Sequence, residues 1–173
     1  TVLIPGPLYH NAPFGLSATA LHSGAHVVLM TKFDAEETLR LVEQHRATWL
    51  YLVPTMMSRI WRLPNRAHFD VSSLKTVWHM AAPCPPWLKE EWIGWLGGET
   101  ILELYGGTEG QTITVIDGNE WMAHKGSVGK PLALGEMKAF SPDGKMLGPR
   151  ETGEIYLRRD PALPPRYHIV GAA

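Results

Sequence analysis

The residues of this sequence best suited to chemistry lie in Leu104-Tyr105-Gly106-Gly107-Thr108-Glu109-Gly110, directly after a short apolar run, Thr100 to Leu104. That run reads as a buried strand, and ligands of α/β sheets collect at the carboxyl ends of strands. Two adjacent glycines let the backbone approach a bulky group closely. Tyr105 offers a flat face for a planar ring, Thr108 a hydroxyl for a phosphate oxygen, and Glu109 a hard carboxylate suited to Mg²⁺. The same residues equally suit a plain Gly-Gly turn in which Thr108 caps a neighbour and Glu109 is a solvated charge.

Other clusters carry less. His22 and His26 are spaced (i, i+4), which on a helix would set two metal ligands on one face. Ser23-Gly24 interrupts that spacing, so loop or surface histidines are expected. Gly126 to Lys130 contains Gly-x-x-Gly-Lys, but a P-loop needs a longer glycine spacing and a following Ser or Thr, where Pro131 stands. Cys84, between Pro83 and Pro85, reads as a packed thiol with no partner for nucleophilic work. Trp87, Trp92 and Trp95 read as core and interface residues that could also line an apolar pocket, and Arg158-Arg159 as a solvated strand end. No Ser-His-Asp arrangement is evident.

The elements that must position these residues alternate between strand and helix. Val27 to Met30 and Trp49 to Val53 are β-type runs, the second stopped by Pro54. Asp34 offers an N-cap with Glu37 three residues on, resembling a capping box, and Leu39, Val42 and Arg46 follow at helical spacing. Glu36 and Arg40 form a favourable (i, i+4) pair. Thr55 can cap a short helix over Met56 to Leu63, and Leu74 to Met80 reads as a strand. Pro86 suits a first helical turn, with Leu88, Trp92, Trp95 and Leu96 on one face and Gly97-Gly98 as the stop. Alternation with short connections implies βαβ units around a mostly parallel sheet with flanking helices.

After Gly110 the texture changes. Thr112 to Ile116, Glu136 to Phe140 and Gly153 to Arg158 read as short strands with no helix between them. Asp117-Gly118-Asn119, Pro142 to Lys145 and Gly148-Pro149 read as the turns, so antiparallel hairpins are expected over about Gln111 to Arg159. The tail with Pro161, Pro164 and Pro165 reads as a loop. The chain opens on Thr1 with ordered-looking residues and closes abruptly at Ile169 to Ala173, which reads as the middle of a longer protein.

Composition sets outer bounds. With 173 residues, 45% of them hydrophobic and 19% charged, the chain can bury a real core and is not disordered by composition. Sixteen Lys and Arg against 17 Asp and Glu give a net charge of −1, which argues against a nucleic-acid partner. One cysteine cannot form an internal disulfide. No apolar run approaches the ~20 residues of a transmembrane segment. A soluble, cytoplasmic protein is the expectation.

Five segments in order resemble one family. Tyr105 to Glu109 resembles the Y-G-x-T-E motif of the adenylate-forming superfamily: acyl-CoA synthetases, peptide-synthetase adenylation domains and beetle luciferases. Pro7 to Phe14 resembles its P-x-x-H segment, and Ala81-Ala82-Pro83 its G-A-A-P turn, with Met80 where glycine is common. Gly126 to Pro131 is similar to its G-S-V-G-K-P segment, and Thr152 to Ile155 to its G-E-[IL] strand. The texture is nearest to acid–CoA ligases of the fatty-acid and bile-acid type. The resemblance implies that residues 1–110 form the α/β subdomain and 111–173 the β-rich start of a barrel-like subdomain. It implies a nucleotide site of Ala81, Ala82, Pro83, Tyr105, Gly106, Gly107 and Thr108, with Tyr105 on adenine and Thr108 on phosphate. Glu109 would hold Mg²⁺ and His10 would stand near the acyl group; without the family, His10 reads as a loop-capping histidine.

The implied activity joins a hydrophobic carboxylic acid to ATP as an acyl-adenylate and passes the acyl group to CoA. A phosphate loop upstream of His10 and a ribose-binding aspartate, hinge and small C-terminal domain downstream are not in these 173 residues. The fragment alone is therefore expected to be inactive and to need those parts of the same polypeptide. Two alternatives stand beside this reading: an adenylation domain that loads a carrier protein, and a non-catalytic nucleotide-binding or interaction module.

Overall fold

A computed structural model describes residues 1–133 and 135–164 of the chain. The expected tail loop is described only as far as Pro164; Pro165 and the closing Ile169 to Ala173 lie outside the described residues. The elements run β1 (Val2–Ile4), α1 (Asn11–His22), β2 (Val27–Leu29), α2 (Ala35–His45), β3 (Trp49–Leu52), α3 (Pro54–Trp61), β4 (Thr76–His79), α4 (Pro86–Leu96) and β5 (Ile101–Gly106). They continue with β6 (Ile113–Asp117), α5 (Gly118–Ala123), β7 (Lys130–Pro131), β8 (Gly135–Phe140) and β9 (Glu154–Arg159). The main sheet has the order β2-β1-β3-β4-β5-β6-β7, and β8-β9 form a second, two-stranded sheet. This is the expected mixed α/β architecture, a mostly parallel sheet with flanking helices followed by short antiparallel strands.

The chain forms two compact units. Thr1–Glu103 with Ile116–Ser127 make the first; Leu104–Val115 with the chain from Val128 make the second. In the first unit, β1 pairs in parallel with β2 and β3, β3 with β4, and β4 with β5. Parallel strands need cover on their faces, and α2, α3 and α4 supply it on the face that carries Leu3, Leu50, Val77 and Ile101, which lie side by side in register. Leu39 and Val42 of α2, Met57 and Ile60 of α3, and Leu88 and Trp92 of α4 pack with Leu3, Leu50, Leu52, Val77 and Ile101 of the strands. Each such aliphatic side chain contributes about 1.5–3 kcal/mol by leaving water.

Local chemistry sets the helix starts, with some differences from the expectations. Asp34 caps α2 as read, accepting from Glu37 N at 2.8 Å. Glu37 does not complete the capping box, because its carboxylate is taken by Arg40. The (i, i+4) pair of Glu36 with Arg40 is therefore replaced by an (i, i+3) pair, and Glu36 accepts from Asn65 Nδ2 at 2.9 Å. Helix α3 starts two residues early, with Pro54 at its first position and Val53 rather than Thr55 as the cap residue; proline's fixed φ favours that place. Helix α1 was not expected, since Pro13 and Gly15 both disfavour a helix interior. Pro13 falls in the first turn, where its missing N–H has no helical partner to lose.

The largest correction follows β6. Asp117-Gly118-Asn119 is not a hairpin turn: Asp117 accepts from Glu120 N at 2.8 Å and caps α5, so a helix does lie among the later strands. Helix α5 packs on α4 through two glycines at closest approach. Gly118 N donates to Gly98 O at 2.8 Å. A Cβ on Gly118 would lie 2.8 Å from both Gly98 O and Ile93 Cγ1.

In the second unit, β6 and β7 pair antiparallel, as do β8 and β9. The β8–β9 register runs from Gly135 opposite Arg159 to Phe140 opposite Glu154. The expected turn at Pro142 to Lys145 is present, with Ser141 N donating to Lys145 O at 2.9 Å. Glu136 is held well down, at about 2, by hydrogen bonds from Arg158 and Lys138.

The glycine contact between α4 and α5 gives a direct test. Gly118→Ala drives a methyl into backbone and should cost about 1–3 kcal/mol, read as a lower urea midpoint; an unchanged midpoint would show that the two helices can separate freely.

Candidate active site

Three parallel strands each end in a segment that the sequence singles out. Strand β1 ends at Ile4 and leads to His10, β4 ends at His79 and leads to Ala81-Ala82-Pro83, and β5 runs into Tyr105 to Glu109. The parallel registers Leu3↔Leu50, Leu52↔His79 and His79↔Glu103 make all three segments continuations of carboxyl ends, where open α/β sheets bind ligands.

In the first unit, His10 is exposed and is the N-cap residue of α1, but its side chain makes no capping bond. Its ring lies 4.6 Å from that of Tyr9, centroid to centroid. Ala81, Ala82 and Pro83 form an exposed turn, while Met80 before them is buried. The left-handed residue of that turn is Ala81, with φ +75°. For a residue with a Cβ this conformation costs about 1–2 kcal/mol, and such strain collects at ligand-binding turns.

In the second unit, Tyr105 to Glu109 are exposed. Gly110 N donates to Gly107 O at 3.1 Å, closing a tight turn with Thr108 and Glu109 at its centre. Gly110 has φ +64°, which favours glycine there. Gly106 has a packing reason of its own: a Cβ would lie 2.8 Å from Cγ2 of Ile113, the first residue of β6, and 3.1 Å from Thr112 O just before it. Farther along, Thr114 Oγ1 donates to Val128 O at 2.5 Å and ties the end of the Gly126 to Pro131 segment to the same strand.

Beneath the carboxyl ends of β4 and β5, in the first unit, lies a buried polar group that the sequence reading missed. Lys89 of α4 is fully buried, and its Nζ donates to Glu103 of β5, which is itself buried. The ammonium also sits 4.6 Å from the centroid of the Trp121 ring on α5. Burial pulls the Lys89 ammonium below the ordinary lysine value, and the Glu103 carboxylate opposes that shift. His79, fully buried and opposite Glu103 in register, has no hydrogen-bond partner at either ring nitrogen. Burial, with the nearby Lys89 charge, pulls it down to about 3, so it is neutral near pH 7. Breaking a buried ion pair by removing one partner costs about 3–5 kcal/mol. A signal existed: Lys89 stands three residues before Trp92 on the apolar face of α4, and Glu103 has the inward parity of Ile101 on β5.

Helix α1 ends at His22, whose Nδ1 is 2.7 Å from Ala18 O, while Nδ1 of His26 lies 3.2 Å from Thr1 Oγ1. Among the described residues, no group of three or more His, Cys, Asp or Glu comes together as a metal cage. Burial pushes the Cys84 thiol up to about 11, which leaves it protonated and unreactive at neutral pH. Trp92 is core, Trp95 packs on it with ring centroids 5.1 Å apart, and Trp87 is exposed.

Comparison with known proteins points in one direction. The family model for the AMP-binding enzyme matches residues 1–167. A feruloyl-CoA synthase from Amycolatopsis is 33% identical over 155 residues, covering 88% of this chain and 31% of that protein. A long-chain-fatty-acid–CoA ligase from Bacillus subtilis is 30% identical over 157 residues, covering 88% of this chain and 27% of the ligase. Among solved structures, an amide bond synthetase from Marinactinospora thermotolerans superimposes with a TM-score of 0.82 at 27% identity, covering 92% of this chain and 32% of that one. The chain thus spans about 30% of the length of the proteins it matches.

The buried histidine and the strained turn can each be tested. The folded value of His79 lies below the ordinary 6.5, so below about pH 6.5 the unfolded chain takes up a proton that the folded chain refuses. The stabilisation is complete above pH 6.5 and is lost as pH falls toward about 3. Between about pH 7.5 and about pH 4.5, the fall in unfolding free energy should be smaller for His79→Leu than for wild type; equal falls would refute the assignment. At the turn, Ala81→Gly should leave the melting temperature unchanged or raised, whereas Ala81→Val should lower it by several degrees.

Proposed function

Because the chain belongs to the AMP-binding enzyme family, we propose that it is part of an ATP-dependent acid–CoA ligase that activates a hydrophobic carboxylic acid as an acyl-adenylate. The observation that carries this reading is the exposed Tyr105 to Glu109 turn at the carboxyl end of β5. Residues 1–110 are assigned to the α/β subdomain and 111–173 to the start of a barrel-like one. The choice of a hydrophobic acid is supported by the exposed apolar Leu8, Tyr9 and Phe14 around His10. It is also supported by two relatives named for feruloyl and long-chain fatty acyl groups. A cytoplasmic location is proposed with it; no helix among the described residues is long and apolar enough to cross a membrane.

The chemistry asks for charge neutralisation and alignment rather than a covalent nucleophile, because the carboxylate and the triphosphate are both anionic. Tyr105 presents an exposed ring face suited to adenine, and Ala81-Ala82-Pro83 form a strained, exposed turn that the family resemblance assigns to the nucleotide. Gly107 leaves the backbone approachable, and the Thr108 hydroxyl donates to a phosphate oxygen. His10 stands at the acyl side. Glu109 fits Mg²⁺ in chemistry: it is a single exposed carboxylate, and Mg²⁺ is commonly held by one or two carboxylates with phosphates and water. Bound there, the cation would offset the charge that develops on the phosphates. CoA is the proposed acyl acceptor; a carrier protein is the alternative within the same chemistry.

Acid-dependent exchange of pyrophosphate into ATP by the full polypeptide carrying this chain measures the first half-reaction. Glu109→Ala should lower kcat/KM at least about a hundredfold, and Tyr105→Ala should mainly raise the KM for ATP. Exchange that is unaltered in Glu109→Ala removes Glu109 from the site. Exchange absent from wild type with every aromatic and aliphatic acid tried favours a non-catalytic module. Release of the adenylate by CoA, compared with carrier protein, decides the acceptor.

A further inference from the structure

The Lys89–Glu103 pair stands where two functional segments are rooted. Glu103 is the last buried residue of β5; Tyr105 and everything after it to Glu109 are exposed. Lys89 lies in the first turns of α4, which starts at Pro86, three residues beyond the Ala81 to Pro83 turn. His79, the last residue of β4, is opposite Glu103 in the parallel register. One ion pair therefore joins the strand that ends in the Tyr105 motif to the helix that follows the Ala81 turn. Lys89 also rests on Trp121, so α5 backs the same ammonium.

Stability alone does not call for such a pair. A buried ion pair seldom outperforms packed apolar side chains of similar volume, since desolvation offsets the attraction. What it adds is direction: an ammonium–carboxylate contact holds its partners to one geometry, whereas apolar side chains can slide. A shift of about 1 Å in a positioning element is enough to lower a rate by about a hundredfold.

We infer that Lys89 and Glu103 are positioning residues: their contact fixes the buried end of β5 against α4 and so sets the point from which the Tyr105 to Glu109 segment leaves the strand for the nucleotide. The inference rests on the acid–CoA ligase reading. Its test uses the full polypeptide, with Lys89→Met/Glu103→Leu as the main variant and Glu103→Gln and Lys89→Arg beside it. Melting temperature and the kcat and KM for ATP in pyrophosphate exchange are measured for each. The double variant should melt within a few degrees of wild type yet lose about tenfold or more in kcat/KM for ATP. Glu103→Gln should lose a similar factor, and Lys89→Arg should recover part of it.

A role confined to stability would move the melting temperature alone. Double-variant and Glu103→Gln kinetics within twofold of wild type would overturn the inference and leave the ligase reading intact. Should the double variant fail to fold, Glu103→Gln decides by the same criterion. Wild-type protein with no acid-dependent exchange would sink the ligase reading, and the positioning role with it.

Discussion

The parallel hydrogen-bond ladder that joins β1, β3, β4 and β5 is the constraint on which the remaining features depend. Parallel strands cannot be linked by tight hairpins, so β1, β3 and β4 are each followed by a helical crossover that leaves from the same end of the sheet. In the first unit that geometry puts the segments after β1 and β4 at carboxyl ends. It also requires cover, which explains why Leu39, Met57, Leu88 and Trp92 pack on the sheet face of Leu50, Val77 and Ile101 rather than line a pocket. His10 and the Ala81 turn, in the connections after β1 and β4, are exposed, as are Tyr105 and Gly106 at the end of β5 and Gly107 to Glu109 after it.

Within that frame the unusual element is polar. A sheet end covered by a helix would ordinarily be closed with apolar side chains, yet here Lys89, Glu103 and His79 are all buried. Burial costs a charged or hydrogen-bonding group its water. The Lys89–Glu103 contact and the Trp121 ring compensate the ammonium, while His79 compensates itself by staying neutral. The same low-polarity surroundings hold Cys84 as a thiol. The interior of the first unit thereby holds a compensated ion pair, a neutral imidazole and a protonated thiol.

Most elements could be read from short-range rules. Asp34 as an N-cap, Pro86 at a helix start, and the strand runs around Leu50 and Ile101 each depend on residues within one or two turns of chain. The failures have a common cause. Helix α1 was hidden because Pro13 is harmful or harmless according to where the first turn begins. Helix α5 was hidden because Asp-Gly-Asn suits a hairpin as well as a capped helix start. What selected the helix is the fit of Gly118 against Gly98 of the preceding connection, a contact between residues 20 apart. Arg40 chose Glu37 over Glu36, since both lie within reach on a helix surface and the sequence ranks them almost equally.

The candidate site divides in the same way. By itself the sequence determined which residue types stand together and in what order, because a tyrosine, two glycines, a threonine and a glutamate in a row are a local chemical statement. It also determined the family, through five segments whose order does not depend on how they fold together. Only the tertiary structure decided that the left-handed residue is Ala81, that Gly106 is needed against Ile113, and that Lys89 and Glu103 meet in the interior. Those facts depend on the distances between chain segments that packing sets, and a charged residue in an apolar stripe states its own identity without naming its partner.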